Sequence, residues 1–112
     1  MIKINQPILS KIVGNTFCEN GQELLSKMKA GDQLLWEREP QNKFDKNAIK
    51  LFNNAKMKIG YIPKDLAKDL SEVLDNGKVK VMEIKVNQIT GNEEKNLGCN
   101  VIIVCYDKTD LL

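Results

Sequence analysis

Glu39-Pro40-Gln41-Asn42-Lys43-Phe44-Asp45-Lys46-Asn47-Ala48-Ile49 is a polar turn between two apolar segments, and it carries a ring and a carboxylate side by side. The segment before it, Asp32–Glu39, reads as a strand. Pro40 stops that strand because proline cannot donate to a ladder. Ala48–Phe52 and Lys56–Ile62 read as two further strands. Asn53-Asn54 between them is hairpin-turn chemistry, since asparagine tolerates positive φ. Pro63 suits the first turn of a helix. Leu66, Leu70, Val73 and Leu74 then recur at helical spacing and form one apolar stripe, and Asn76-Gly77 is a stop signal.

Working outward, Ile8–Gly14 reads as a first strand with β-branched residues, and Gly21–Lys29 as a short helix carrying Leu24, Leu25 and Met28. Lys78–Val86 alternates polar and apolar residues, the pattern of a strand with one wet face. Gly91–Gly98 reads as a polar turn holding Glu93-Glu94, Asn100–Tyr106 as the closing strand, and Asp107–Leu112 as a frayed tail. The predicted order is β-α-β-β-β-α-β-β. It describes one domain over residues 1–112, with its core at about 8–106, mainly β with two helices (α+β) and curled into a sheet or barrel.

The 112 residues are 42% hydrophobic and 29% charged, an ordinary balance for a globular domain with one core. The longest apolar run, Val101–Tyr106, is far below the roughly 20 residues of a membrane helix, and the N-terminal residues lack a signal-peptide block. A cytoplasmic protein without membrane contact is expected. The three cysteines, Cys18, Cys99 and Cys105, form no CxxC pair, and the chain has no histidine. They read as free thiols, and they do not supply a tetrahedral zinc site. Without histidine the common general base and the Ser-His and Cys-His pairs are excluded. No P-loop, metal set or nucleophile–base pair is visible, so neither an enzyme nor a cofactor is expected.

Net charge is only +2, yet residues 41–68 hold seven lysines against Asp45 and Asp65, a local +5. Such a window is either a solvated face or a patch that tracks phosphates.

Three segments together resemble the HIRAN domain family. Ile12-Val13-Gly14-Asn15-Thr16-Phe17 is similar to its first motif, and Arg38 to Ile49 to its most diagnostic run, R-x-P-x-N-P-[YF]-D-x-N-A-[IV]. Ile59-Gly60-Tyr61-Ile62-Pro63-Lys64-Asp65-Leu66-Ala67 is similar to the third motif. The motifs occur in family order, and the likeness spans about Ile8 to Tyr106. The resemblance implies a small six-stranded, partly open barrel similar to an OB-fold. It also implies a module that grips the 3′ end of single-stranded DNA, in a setting of DNA repair, beside a helicase or nuclease carried on another chain. On that reading Phe44 stacks on terminal bases, Asp45 accepts a hydrogen bond from the 3′-hydroxyl and Asn42 shapes the turn. Tyr61 borders the pocket, Lys64 meets the backbone, Phe17 is the aromatic of the first motif, and Lys43 and Lys46 add phosphate attraction. Thr16 stands where end-binding members carry arginine, and Lys43 where they carry proline.

Each of these residues also has a plain structural role open to it. Asp45 can cap its own turn through the N–H of Asn47. Phe44 can be core, and Trp36 reads as half-buried core. Gly14 and Gly60 read as backbone fits, Asn47 as a tie between turn and barrel, and Asp65, Asp69 and Glu72 as solvated helix charges. The rival function is a protein–protein interaction module that uses the wet face of Lys78–Val86 or a barrel edge.

Overall fold

The computed structural model describes residues 1–92 and 94–108; Glu93 of the expected last turn and the expected tail beyond Lys108 lie outside the described residues. Six strands run as β1 (Ile8–Lys11), β2 (Gln33–Arg38), β3 (Ile49–Phe52), β4 (Lys58–Tyr61), β5 (Val81–Asn92) and β6 (Lys95–Tyr106). A 3-10 turn (Asn15–Phe17) and helix α1 (Gly21–Ser26) follow β1, and helix α2 (Lys64–Asp75) follows β4. The order of elements is the one expected.

All strand pairs are antiparallel, in the order β1-β6-β5-β2-β3-β4. The sheet curls until its ends approach. There Val13, just past β1, exchanges two main-chain hydrogen bonds of 2.9 Å with Tyr61 of β4. That single bridge makes the sheet a partly open barrel. Gly60 sits beneath it with φ +149°, where an added Cβ would meet the Val13 carbonyl oxygen at 2.6 Å. Only glycine fits so close an approach in that conformation.

The interior is filled from β2 to β6, by Leu34, Ile49, Leu51, Ile59, Ile84, Val101 and Ile103, with Leu25 of α1 and Ala67 and Leu70 of α2, and Ile8 of β1 packs half-buried against it. Cys99 and Cys105 are buried among them, and burial pushes both thiols up to about 11. They behave as small apolar side chains. Trp36 is half-buried and donates its indole N–H to the Met82 carbonyl at 2.8 Å.

Two expectations need correction. The polar stretch Gly91–Gly98 is largely ladder, with Ile89 paired to Cys99, Thr90 to Gly98 and Asn92 to Lys95. Main-chain ladder bonds carry the hairpin outward, so most of its side chains there need not be apolar. The alternation of Lys78–Val86 also changes phase: Val79 is buried, Val81 half-exposed, and Met82, Ile84 and Val86 buried. The strand starts at Val81, and Val79 belongs to the preceding loop, where its N–H bonds the Val73 carbonyl at 2.9 Å. Smaller differences shorten α1 to Ser26 and place Pro63 as the N-cap of α2, one residue before its first turn.

Candidate functional site

The turn after β2 is built by its own side chains. Asn42 Oδ1 accepts the N–H groups of Phe44 (2.8 Å) and Asp45 (2.9 Å). Asp45 Oδ1 accepts the Asn47 N–H at 2.9 Å, and the Ser71 hydroxyl of α2 donates to Asn47 Oδ1 at 3.2 Å. These are nested Asx turns, in which a short polar side chain imitates a main-chain turn. The loop is also clamped at both ends. Arg38 donates to the carbonyls of Lys46 and Ala48 at 3.1 Å each, and it grips Asp75 at the end of α2 through two bonds of 3.1 and 2.9 Å. The Arg38 hydrogen bonds hold the Asp75 carboxyl below the usual range. At the other end Glu39 accepts the Asn42 side-chain N–H at 3.1 Å and pairs with Lys50 at 2.7 Å.

A loop so tied has no freedom to fold Phe44 inward. The ring is 95% exposed, while Asp45 beside it is half-buried. Both border an open hollow of about 310 Å³ lined also by Val13, Gly14, Asn42, Ala48, Tyr61, Ile62 and Lys64. Its floor is apolar, and its rim carries one carboxylate and one ammonium. Asp45 therefore does make the turn bond to Asn47, but with Oδ1; no bond to Oδ2 is formed among the described residues.

Of the residues named from sequence, Asn42, Phe44, Asp45, Tyr61 and Lys64 meet at this hollow. Thr16 and Phe17 stand outside its lining, exposed on the 3-10 turn that Gly14 precedes as N-cap, and Phe17 is 92% exposed. Lys43 and Lys46 are exposed on the loop and do not line the hollow. Tyr61 is a half-buried wall, and the Lys58 ammonium lies 4.6 Å from its ring centroid.

Sequence reasoning did not find the floor residues Val13, Ala48 and Ile62, the Glu39–Lys50 brace, or Lys58. It also missed the buried Asn15, which donates to the carbonyls of Gly21 (3.1 Å) and Ile59 (2.8 Å) and accepts from Gln22 (2.8 Å). Gln22 in turn exchanges two bonds with Leu97 of β6, so this network fixes the 3-10 turn against the barrel. The position of Asn15, directly after Val13-Gly14, was the one available signal.

Fold and loop together define a small curled barrel that displays a ring and a carboxylate at the lip of an apolar hollow. The chain belongs to the HIRAN domain family, whose model matches residues 8–105. Over 45 residues it is 48% identical to the helicase-like transcription factor of Oryctolagus cuniculus, covering 40% of this chain and 4% of that protein. Over 69 residues it is 32% identical to a Fanconi-associated nuclease 1 homolog of Arabidopsis thaliana, covering 62% of this chain and 7% of that protein. The chain thus spans a small fraction of the length of these relatives. Its backbone matches the crystal structure of the HIRAN domain of human HLTF with a TM-score of 0.73 at 20% identity, over 96% of this chain and 80% of that one. A protein from Lactobacillus plantarum matches with a TM-score of 0.61 at 18% identity, over 88% and 97% respectively. At these identities the likeness is one of fold.

Proposed function

We propose that this domain is a non-catalytic module that binds single-stranded DNA and seats the strand's 3′-hydroxyl end in the hollow. The observation that carries the reading is the pairing of a fully displayed ring, Phe44, with a carboxylate, Asp45, that keeps one oxygen free of protein donors among the described residues. A displayed ring is a platform on which any base stacks. A carboxylate accepts a hydrogen bond from a terminal hydroxyl and repels a phosphate at the same place, so it selects ends from both sides. Lys64 on the rim, with Lys43 and Lys46 on the loop, supplies positive charge for the backbone. Phe17 is a second displayed ring, three residues after Gly14 of the lining. Membership of a family also found in a helicase-like transcription factor and a nuclease homolog supports DNA as the ligand, and a helicase or nuclease as the partner.

The rival reading, a protein-docking module, has less behind it. Outside the site the exposed large apolar side chains Met1, Leu9 and Met57 lie on separate segments. Titration of labelled single strands ending in 3′-hydroxyl or 3′-phosphate, at two salt concentrations, tests the proposal. Tighter binding of the hydroxyl end is expected. Equal affinity for both ends removes the end-reading claim, and absence of salt-dependent binding removes the nucleic-acid claim altogether.

A further inference from the structure

Lys58 and Lys64 lie symmetrically in sequence about Tyr61, yet only Lys64 lines the hollow. The Lys58 ammonium instead sits over the Tyr61 ring, 4.6 Å from its centroid. It is exposed, and it forms no ion pair with a carboxylate among the described residues. An ammonium over a ring face is attracted by the ring's quadrupole while its N–H donors still face water. Hydrogen bonds define its surroundings. Gly14, which lines the hollow and has no side chain to block the way, offers its carbonyl to the Phe17 N–H at 3.1 Å and to the Cys18 thiol at 3.5 Å. The charge of Lys58 reaches that thiol, where it opposes the rise that burial causes. Lys58, Tyr61, Gly14 and Cys18 are thus one contiguous patch beside the hollow, with the exposed Phe17 at its edge.

Resting on the single-strand reading above, we propose that Lys58 is the phosphate-binding residue of a second nucleotide position, reached over Gly14 and flanked by Phe17. A phosphate of the end nucleotide meets Lys64 inside the rim. Lys58 lies outside the rim, behind Tyr61, and meets a phosphate further along the strand. The site then reads a strand that leaves in one direction, and does not merely hold a loose end.

The test measures the salt dependence of binding of a labelled oligothymidylate with a 3′-hydroxyl, for the wild type, Lys58→Met, Lys58→Gln and Lys58→Arg. Loss of one single-strand phosphate contact lowers the slope of log affinity against log salt by about 0.7, a loss of about fivefold at 0.1 M salt. Lys58→Met and Lys58→Gln are expected to show that loss with unchanged preference for hydroxyl over phosphate ends, and Lys58→Arg to restore the slope. If the wild type binds and both neutral variants keep its slope, the Lys58 position is overturned while the hollow stands. If the wild type shows no salt-dependent binding, the single-strand reading fails and this position fails with it. Unfolding midpoints of the variants separate lost contact from lost fold, since Lys58 is a surface residue whose removal leaves the core intact.

Discussion

Lys50 Nζ stands 2.7 Å from Glu39 Oε2, and the other oxygen of Glu39 holds the side chain of Asn42, whose own oxygen shapes the Phe44–Asp45 turn. Strand β3 is thereby wired to the displayed ring through one half-buried carboxylate. Burial pushes the Glu39 carboxyl up, but hydrogen bonds from Lys50, Tyr61 and Asn42, with the Lys50 charge, outweigh it and hold it below the usual range. Lys50 is held above its usual range, chiefly by its hydrogen bond to Glu39. A lowered carboxyl contributes stability that is present above its unfolded value and lost as pH falls through its folded one. A raised ammonium contributes stability that is present below its unfolded value and lost as pH rises through its folded one. The pair therefore supports the loop at neutral pH and fails at both extremes. Glu39→Gln is expected to cost about 1–2 kcal/mol at pH 7 and to flatten the acid side of the stability curve, as measured by urea unfolding at several pH values. An acid side as steep as that of the wild type overturns the role given to Glu39.

Phe44 gives the opposite signature. A ring 95% exposed contributes little to folding, so Phe44→Ala should leave the unfolding free energy within about 0.5 kcal/mol of the wild type. Strand binding should weaken by about 1–3 kcal/mol, the usual worth of one stacked base. A variant that loses stability in urea but keeps its affinity for single strands shows that the ring packs and does not stack.

Asp45 has two jobs, and one substitution separates them. Asp45→Asn keeps a carbonyl oxygen for the Asn47 N–H that Oδ1 now accepts at 2.9 Å, so the turn should survive. It removes the negative charge that repels a terminal phosphate. The ratio of hydroxyl-end to phosphate-end affinity should fall towards one, with overall salt dependence kept. Asp45→Ala loses the turn bond as well and should cost about 1 kcal/mol of stability in addition. An undiminished end preference in Asp45→Asn places the selection elsewhere.

What the sequence made legible divides along physical lines. The Asn42–Asn47 loop could be read because Asx turns are local: each donor lies within three residues of its acceptor. The order of elements along the chain could be read because Pro40, Asn53-Asn54 and Pro63 punctuate it. Lys50 meeting Glu39, or Lys58 covering Tyr61, depends on the twist of neighbouring strands and on the register slip between Leu51 and Phe52, and neither is written in any periodicity. Asn15 was hidden for a related reason, since its partners Gly21, Gln22 and Ile59 converge only once the barrel has curled. The hairpin of β5 and β6 was expected, but the reach of its ladder out to Asn92 and Lys95 was missed because that outer half lies under polar side chains.

Closure of that barrel can be tested at one atom. Gly60 has φ +149°, and a Cβ there would stand 2.6 Å from the Val13 oxygen, the acceptor of the Tyr61 N–H that closes the sheet. Gly60→Ala therefore meets two penalties, the strained backbone and a clash with main chain that cannot swing aside. Gly31 supplies the control. Its φ is +93°, but nothing lies within 4 Å of the added carbon, so Gly31→Ala meets the backbone penalty alone. Strain of that kind costs about 1–3 kcal/mol. Gly60→Ala should lose clearly more than Gly31→Ala in urea unfolding. It should also lose strand affinity, because Val13 and Tyr61 both line the hollow. Equal losses from the two variants mean that the Val13–Tyr61 bridge yields without cost, and that the hollow does not depend on the barrel being shut.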